Sequence, residues 1–222
     1  MNGVRAIGAI ACGISLCIAF MAGCAKEKPA EPRQEATGRL VLMLTDRPIA
    51  GVEVVKLPVT ISGITVHKAG AGETAPKAEG VEATEADQAE EKGGDWIDIP
   101  LDKDPSVKEK VFDLMELRTD SGESIKKLLG EGMLEPGRYT QIRLSVVKAS
   151  ITVVEDGAEK SFDLEISGKN RLKIVREFQV LENGETEIVL DFDAERSVIR
   201  TGKGEYKLKP TIKLSSVKEK GP

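Results

Sequence analysis

The chain has 222 residues, with 32 Lys+Arg against 37 Asp+Glu, 40% hydrophobic residues, 4% aromatic residues and one histidine. A net charge of −5 argues against a nucleic-acid binder, which would normally carry a basic face, so no nucleic acid is expected as a partner. The single histidine excludes a multi-His metal site, and the apolar content excludes disorder throughout.

The first residues give an address. Arg5 supplies a positive charge, an apolar stretch runs from Ala6, and Met21-Ala22-Gly23-Cys24 closes it with small residues before a cysteine. That is the layout of a secretory signal peptide over 1–23. The stretch is short for a spanning helix and rich in Ala and Gly rather than Leu and Ile. Met21 to Cys24 resembles a bacterial lipobox, which implies lipidation (palmitate) at Cys24, a membrane anchor and a place in the cell envelope. Ala25, rather than Asp, after Cys24 implies the outer membrane of a two-membrane bacterium, facing either the periplasm or the outside. The three cysteines are Cys12, Cys17 and Cys24. Two would leave with the signal peptide and one would carry lipid, so no disulfide or thiolate metal site is expected.

Residues 24–37 are rich in Lys, Glu and Pro and read as a flexible tether. A single β-sandwich domain is expected over 38–218. Leu40 to Leu44 are apolar on both parities, as in a strand covered on two faces, and Thr45-Asp46-Arg47-Pro48 carries turn chemistry. Val52 to Lys68 is β-branched, and its alternation flips at Ser62-Gly63, the mark of a β-bulge. Residues 69–95 hold eight acids against two bases and read as a disordered acidic insertion, solvated or attracting a cation or partner. Without it the exported chain is balanced at 29 bases and 29 acids.

Trp96 to Pro100 reads as a short alternating strand. Val111 to Leu117 is ambiguous between strand and extended edge. Ser121 to Gly130 reads as the one short helix, with Ser121 as N-cap, Ile125, Leu128 and Leu129 at helical spacing and Gly130 as stop. Tyr139 to Val154 is a long strand whose parity shifts near Lys148-Ala149. Asp156-Gly157 signals a hairpin, and strands follow at Ser161 to Ile166, Leu172 to Val180, Glu185 to Asp193 and Tyr206 to Val217. The fold class expected is all-β, an antiparallel Greek-key sandwich of about 7–9 strands.

Four stretches carry a family likeness: Gly38 to Asp46 with Pro48, Val59 to Ile64 with Val66 to Lys68, Pro136 to Leu144, and Leu190 to Ala194 with Ser197-Val198. In that order they resemble the prokaryotic lipoprotein domain of unknown function 4382. The resemblance implies a prealbumin- or transthyretin-like sandwich, similar to carboxypeptidase-regulatory-like domains, with no established activity and no catalytic residue.

Candidate chemistry is sparse. Asp191 and Asp193, at i and i+2 on a strand, would share a face, and Asp46 would add a third oxygen, a possible Ca²⁺ site. The alternative is that these carboxylates are solvated or pair with Arg143, Arg196 or Arg200. His67 falls on the polar parity of its strand, as an ordinary surface or hydrogen-bonded residue, and is a binding candidate together with Trp96. No nucleophile elbow, Walker loop or dinucleotide-binding glycine pattern is present. Trp96, Tyr139 and Tyr206 are the few aromatics that sugar stacking could use, and core packing or a tyrosine corner accounts for each more cheaply. The expectation is a non-enzymatic, lipid-anchored binding or interaction module with no cofactor. Its partners would be the membrane and an envelope protein or ligand. A Ca²⁺- or small-ligand-binding protein is the alternative, and a hydrolase the third reading.

Overall fold

Leu40, Leu42 and Leu44 are wholly buried, on a strand whose other face also carries apolar residues. Such a strand belongs in the middle of a sheet, and β1 (Gly38–Asp46) lies there. The computed structural model describes residues 36–46, 54–70, 84–85, 95–117, 124–166 and 171–222. The signal peptide, Cys24, nearly all of the tether, the Arg47-Pro48 turn, Ser121 and the 168–170 turn lie outside these residues.

In chain order, β1 is followed by β2 (Val54–Lys56), β3 (Pro58–Lys68), β4 (Thr84–Glu85), β5 (Asp95–Asp98) and β6 (Lys110–Asp113). A 3-10 turn, Leu114–Leu117, precedes β7 (Lys127–Leu134), the 19-residue β8 (Gly137–Glu155), β9 (Ala158–Asp163) and β10 (Glu165–Ile166). Next come β11 (Arg171–Val180), β12 (Glu185–Phe192), the one-turn helix α1 (Ala194–Ser197), β13 (Val198–Arg200), β14 (Tyr206–Leu208) and β15 (Ile212–Lys220).

The protein is an all-β sandwich. One sheet has the order β15-β12-β1-β7; the larger has β4-β11-β8-β3-β5, with β2, β6 and β9 attached to its long strands. A small third sheet is β10-β14-β13. Leu40, Leu42, Ile188 and Leu190 of the first sheet share one apolar core with Ile64, Val66, Ile142 and Leu144 of the second. Each fully buried Leu or Ile contributes about 1.5–3 kcal/mol relative to an exposed one.

Three expectations are corrected. The pairing is not antiparallel throughout, because β1 runs parallel to β12, from Arg39 beside Glu185 to Asp46 beside Phe192. Residues 124–130, the described part of the expected helix, are not helical. Lys127 onward is strand β7, antiparallel to β1, and among the described residues the one short α-helix is Ala194–Ser197. Packing overrides the helical spacing here: Leu129 is fully buried and its neighbour Leu128 exposed, the alternation of a strand. Gly130 passes so close to the 99–101 segment that an added Cβ would lie 2.6 Å from the Pro100 carbonyl oxygen. The acidic insertion also has an ordered point, since Thr84 and Glu85 pair with Lys173 and Leu172, and strand β5 begins at Asp95.

Both expected bulges are present. Ser62 is skipped between Ile61 and Gly63, and Val147 between Val146 and Lys148, where β3 pairs with β8. The extra residue on one strand is answered by one on the other, so the register recovers. The Asp156-Gly157 hairpin has both residues at positive φ, 55° and 76°, as a type I′ turn requires.

Candidate functional site

Two groups of buried polar residues contain all the sequence candidates that fall within the fold. The first is at the ends of β1 and β12. Asp46 is 0%, Asp191 3% and Asp193 6% exposed. β12 stops at Phe192, so Asp193 is not the next residue on Asp191's strand face. It is the N-cap of α1, with its Oδ1 accepting the Arg196 N–H at 3.1 Å. Asp46 Oδ1, from the end of β1, accepts the Ala194 N–H at 3.0 Å, so two carboxylates cap the same helical turn. The Ser197 hydroxyl donates to the Asp193 carbonyl and accepts the Thr211 N–H, tying the turn to the start of β15. Lys213 Nζ lies 3.3 Å from Asp193 Oδ2.

This arrangement works against the Ca²⁺ reading. One oxygen of Asp46 and one of Asp193 accept backbone N–H groups, and among the described residues no group of three or more His, Cys, Asp or Glu is placed to hold a metal. Arg143 is on the other sheet, Arg196 meets Asp193 through its backbone N–H, and Arg200 reaches Glu155.

The second group is on the outer face of the large sheet. Register places His67 beside Trp96 on β5 and beside Gln141 on β8. Contrary to a surface position, His67 is only 2% exposed. β8 skips Thr140 between Tyr139 and Gln141 in its pairing with β3, and this third bulge brings the Thr140 hydroxyl 2.8 Å from His67 Nδ1. The imidazole leans on the Trp96 ring with centroids 4.9 Å apart. The Arg143 guanidinium lies over that ring at 3.7 Å, itself only 4% exposed. The result is a stack in which each member fixes the next: hydroxyl, imidazole, indole, guanidinium.

Beside the stack is a cleft of about 370 Å³. Trp96 and Arg143 form one wall, Arg171 and Asp98 border it, and Thr65 and Ser145 contribute hydroxyls. Its floor is Gly63 of the β3 bulge, where an added Cβ would meet nothing nearer than 3.8 Å. A second hollow of about 350 Å³, towards Leu101 and Pro105, shares Gly63 and Asp98 with the first. Arg143 and Arg171 escaped the sequence reading as site residues. The available signal was the alternation of Gln141, Arg143 and Ser145 against Ile142 and Leu144, which puts the arginine on the face opposite the core.

The tyrosines are structural. Tyr139 is fully buried, donates to the Glu135 carbonyl at 2.9 Å and stacks on Phe178. Burial, and then the Glu135 carboxylate, push its hydroxyl up to about 12. Tyr206 packs on Phe162 and donates to Glu155.

Among the described residues no helix is long and apolar enough to cross a membrane. No curated protein and no solved structure matches the chain. The family described as Domain of unknown function (DUF4382) matches residues 37–210, from the start of β1 through β14, and the chain belongs to it.

Proposed function

We propose that the protein is a lipid-anchored cell-envelope lipoprotein whose folded part is a non-catalytic binding module, with the cleft beside Trp96 as its site. The cleft carries the reading. Rigid, partly buried side chains surround open volume of the size small ligands occupy, about 300–1,000 Å³. Support for a non-catalytic role comes from His67 and Thr140. They bond to each other at 2% and 0% exposure, so neither presents a general base or a nucleophile to a substrate. Support for the anchor comes from the Met21-Ala22-Gly23-Cys24 sequence and from the absence of any cysteine after Cys24.

Both halves are testable in cells. Feeding an alkyne-tagged palmitate should label the wild-type chain and fractionate it with outer membranes, while Cys24→Ala should lose the label and leave the membrane. Labelling that survives Cys24→Ala would refute the anchor. A photo-crosslinking residue at position 65, irradiated in intact envelopes, should capture a ligand or partner, and the same residue at Lys203, on an exposed turn, should not. Equal capture at both, or none at position 65, would refute the cleft as the binding site.

A further inference from the structure

We infer that the outer face of the large sheet is a docking surface for the chain's own acidic residues 86–94, whose carboxylates thus serve the molecule's cations and not an outside partner. The inference goes beyond the binding reading above and does not depend on it. It begins with the two ends of the segment, which the fold places. Thr84 and Glu85 pair with Lys173 and Leu172 on the far side of β11. Asp95 pairs with Lys68 on the far side of β3. Between these ends lie β11, β8 and β3, so the segment bridges four strand spacings, about 19 Å. Leu172 is level with Leu144, and Lys68 with Tyr139. The straight path is therefore a diagonal of about 25 Å.

Ten links separate Glu85 from Asp95, and fully stretched they reach about 33–36 Å. A path round one end of the sheet has to clear β11, which continues to Val180; with the crossing it exceeds about 45 Å. A path round the other end has to clear β8, which runs to Glu155, and uses about 36 Å before it can turn back. The inner face is filled by the core shared with the first sheet. The outer face is the route that remains. Burial and charge agree with it. His67 and Arg143, on that face, are 2% and 4% exposed, whereas a sheet face under water alone leaves such side chains wet. Lys173 lies directly opposite Arg143, with Arg171 opposite Ser145, and like charges opposite one another on a sheet repel. In the segment Asp87, Glu90 and Glu91 outnumber Lys92, so docking brings the opposite charge to that row. Arg143, Arg171 and Lys173 are each already engaged within the molecule; the segment shares in that engagement, and no further anion is called for.

A glutamate-specific protease reads the docking, because Glu90 and Glu91 are its sites in the segment. The full-length protein in detergent would be digested together with a synthetic peptide of residues 84–96 as the undocked standard. At low salt, cleavage after Glu90 and Glu91 should be at least tenfold slower in the protein than in the peptide. About 1 M NaCl, which screens charges beyond ~3 Å, should narrow that gap several-fold. Arg171→Gln combined with Lys173→Gln should narrow it at low salt with the thermal midpoint kept, and the salt series on the wild-type protein decides if that variant does not fold. Cleavage at the peptide's rate in low salt would overturn the docking. Protection that neither salt nor the paired substitution relieves would overturn its charge-based attachment to this face.

Discussion

The junction at Asp46 and Asp193 and the cleft at Trp96 and Arg143 are both built from polar side chains that the fold has buried. They differ in where the polar atoms point. At the junction, carboxylate oxygens accept N–H groups of α1 from within the same molecule. At the cleft, a stacked guanidinium borders about 370 Å³ of open volume. Burial and charge alone therefore do not mark a site. A buried carboxylate that receives backbone donors is part of the framework, while side chains that border an open cleft are placed where a ligand can reach them.

Mutations should separate the two regions. Asp46→Ala leaves the buried Ala194 N–H without its acceptor and should cost about 2 kcal/mol. That is read as a lower urea midpoint and a melting temperature lower by several degrees. In the core under the large sheet, Tyr139 holds the strand end where Thr140 bulges towards His67. Tyr139→Phe removes its bond to Glu135 and should cost about 1 kcal/mol at neutral pH. Its pH profile carries a sharper signature. The hydroxyl titrates near 12 when folded and about 10 when unfolded. Its contribution is full below pH 10. It declines as pH rises from 10 to 12, because the unfolded chain releases the proton first. The Phe variant should lack that part of the alkaline loss, and identical alkaline limbs for the two proteins would refute the assignment.

Smaller effects are expected from filling or loading the two places. Gly63→Leu should change stability by no more than about 0.5 kcal/mol, as for a surface position away from strain. A large loss would make the cleft floor as structural as the junction. Millimolar Ca²⁺ should leave the melting temperature unchanged. A rise of several degrees that disappears in Asp46→Ala would restore the cation reading and erase the distinction.

Local chemistry made much of the fold legible. Asp156-Gly157 announces a hairpin because two consecutive positive φ angles favour those residues. Ser62-Gly63 announces a bulge because alternation flips around a glycine. Leu128 and Leu129 satisfy helical and strand spacing equally. What decides between them is the approach of Gly130 to Pro100, a contact 30 residues apart that no local pattern contains. The parallel pairing of β1 with β12 is hidden for the same reason. His67 and Trp96 were each conspicuous as the only residues of their kind. Their meeting depends on β3 pairing with β5 across an insertion, and Arg143 joins them from a third strand. The Asp191-Phe192-Asp193 motif invited a metal because alternation seemed to continue, whereas the strand ends at Phe192 and the second aspartate turns to cap a helix.

The place where the chain enters the fold has a mechanical meaning. β1 begins at Gly38, immediately after the lipid tether proposed for residues 24–37, and is bonded on one side to β12 and on the other to β7. A pull along β1 from its first residue runs across both ladders of hydrogen bonds, perpendicular to those shared with β7 and at a slant to those shared with β12. Those bonds are then loaded together in shear and not peeled one after another. An edge strand in the same position would unzip. A domain held to a surface by its first strand, and pulled by whatever its cleft grips, thus takes the load through two ladders at once.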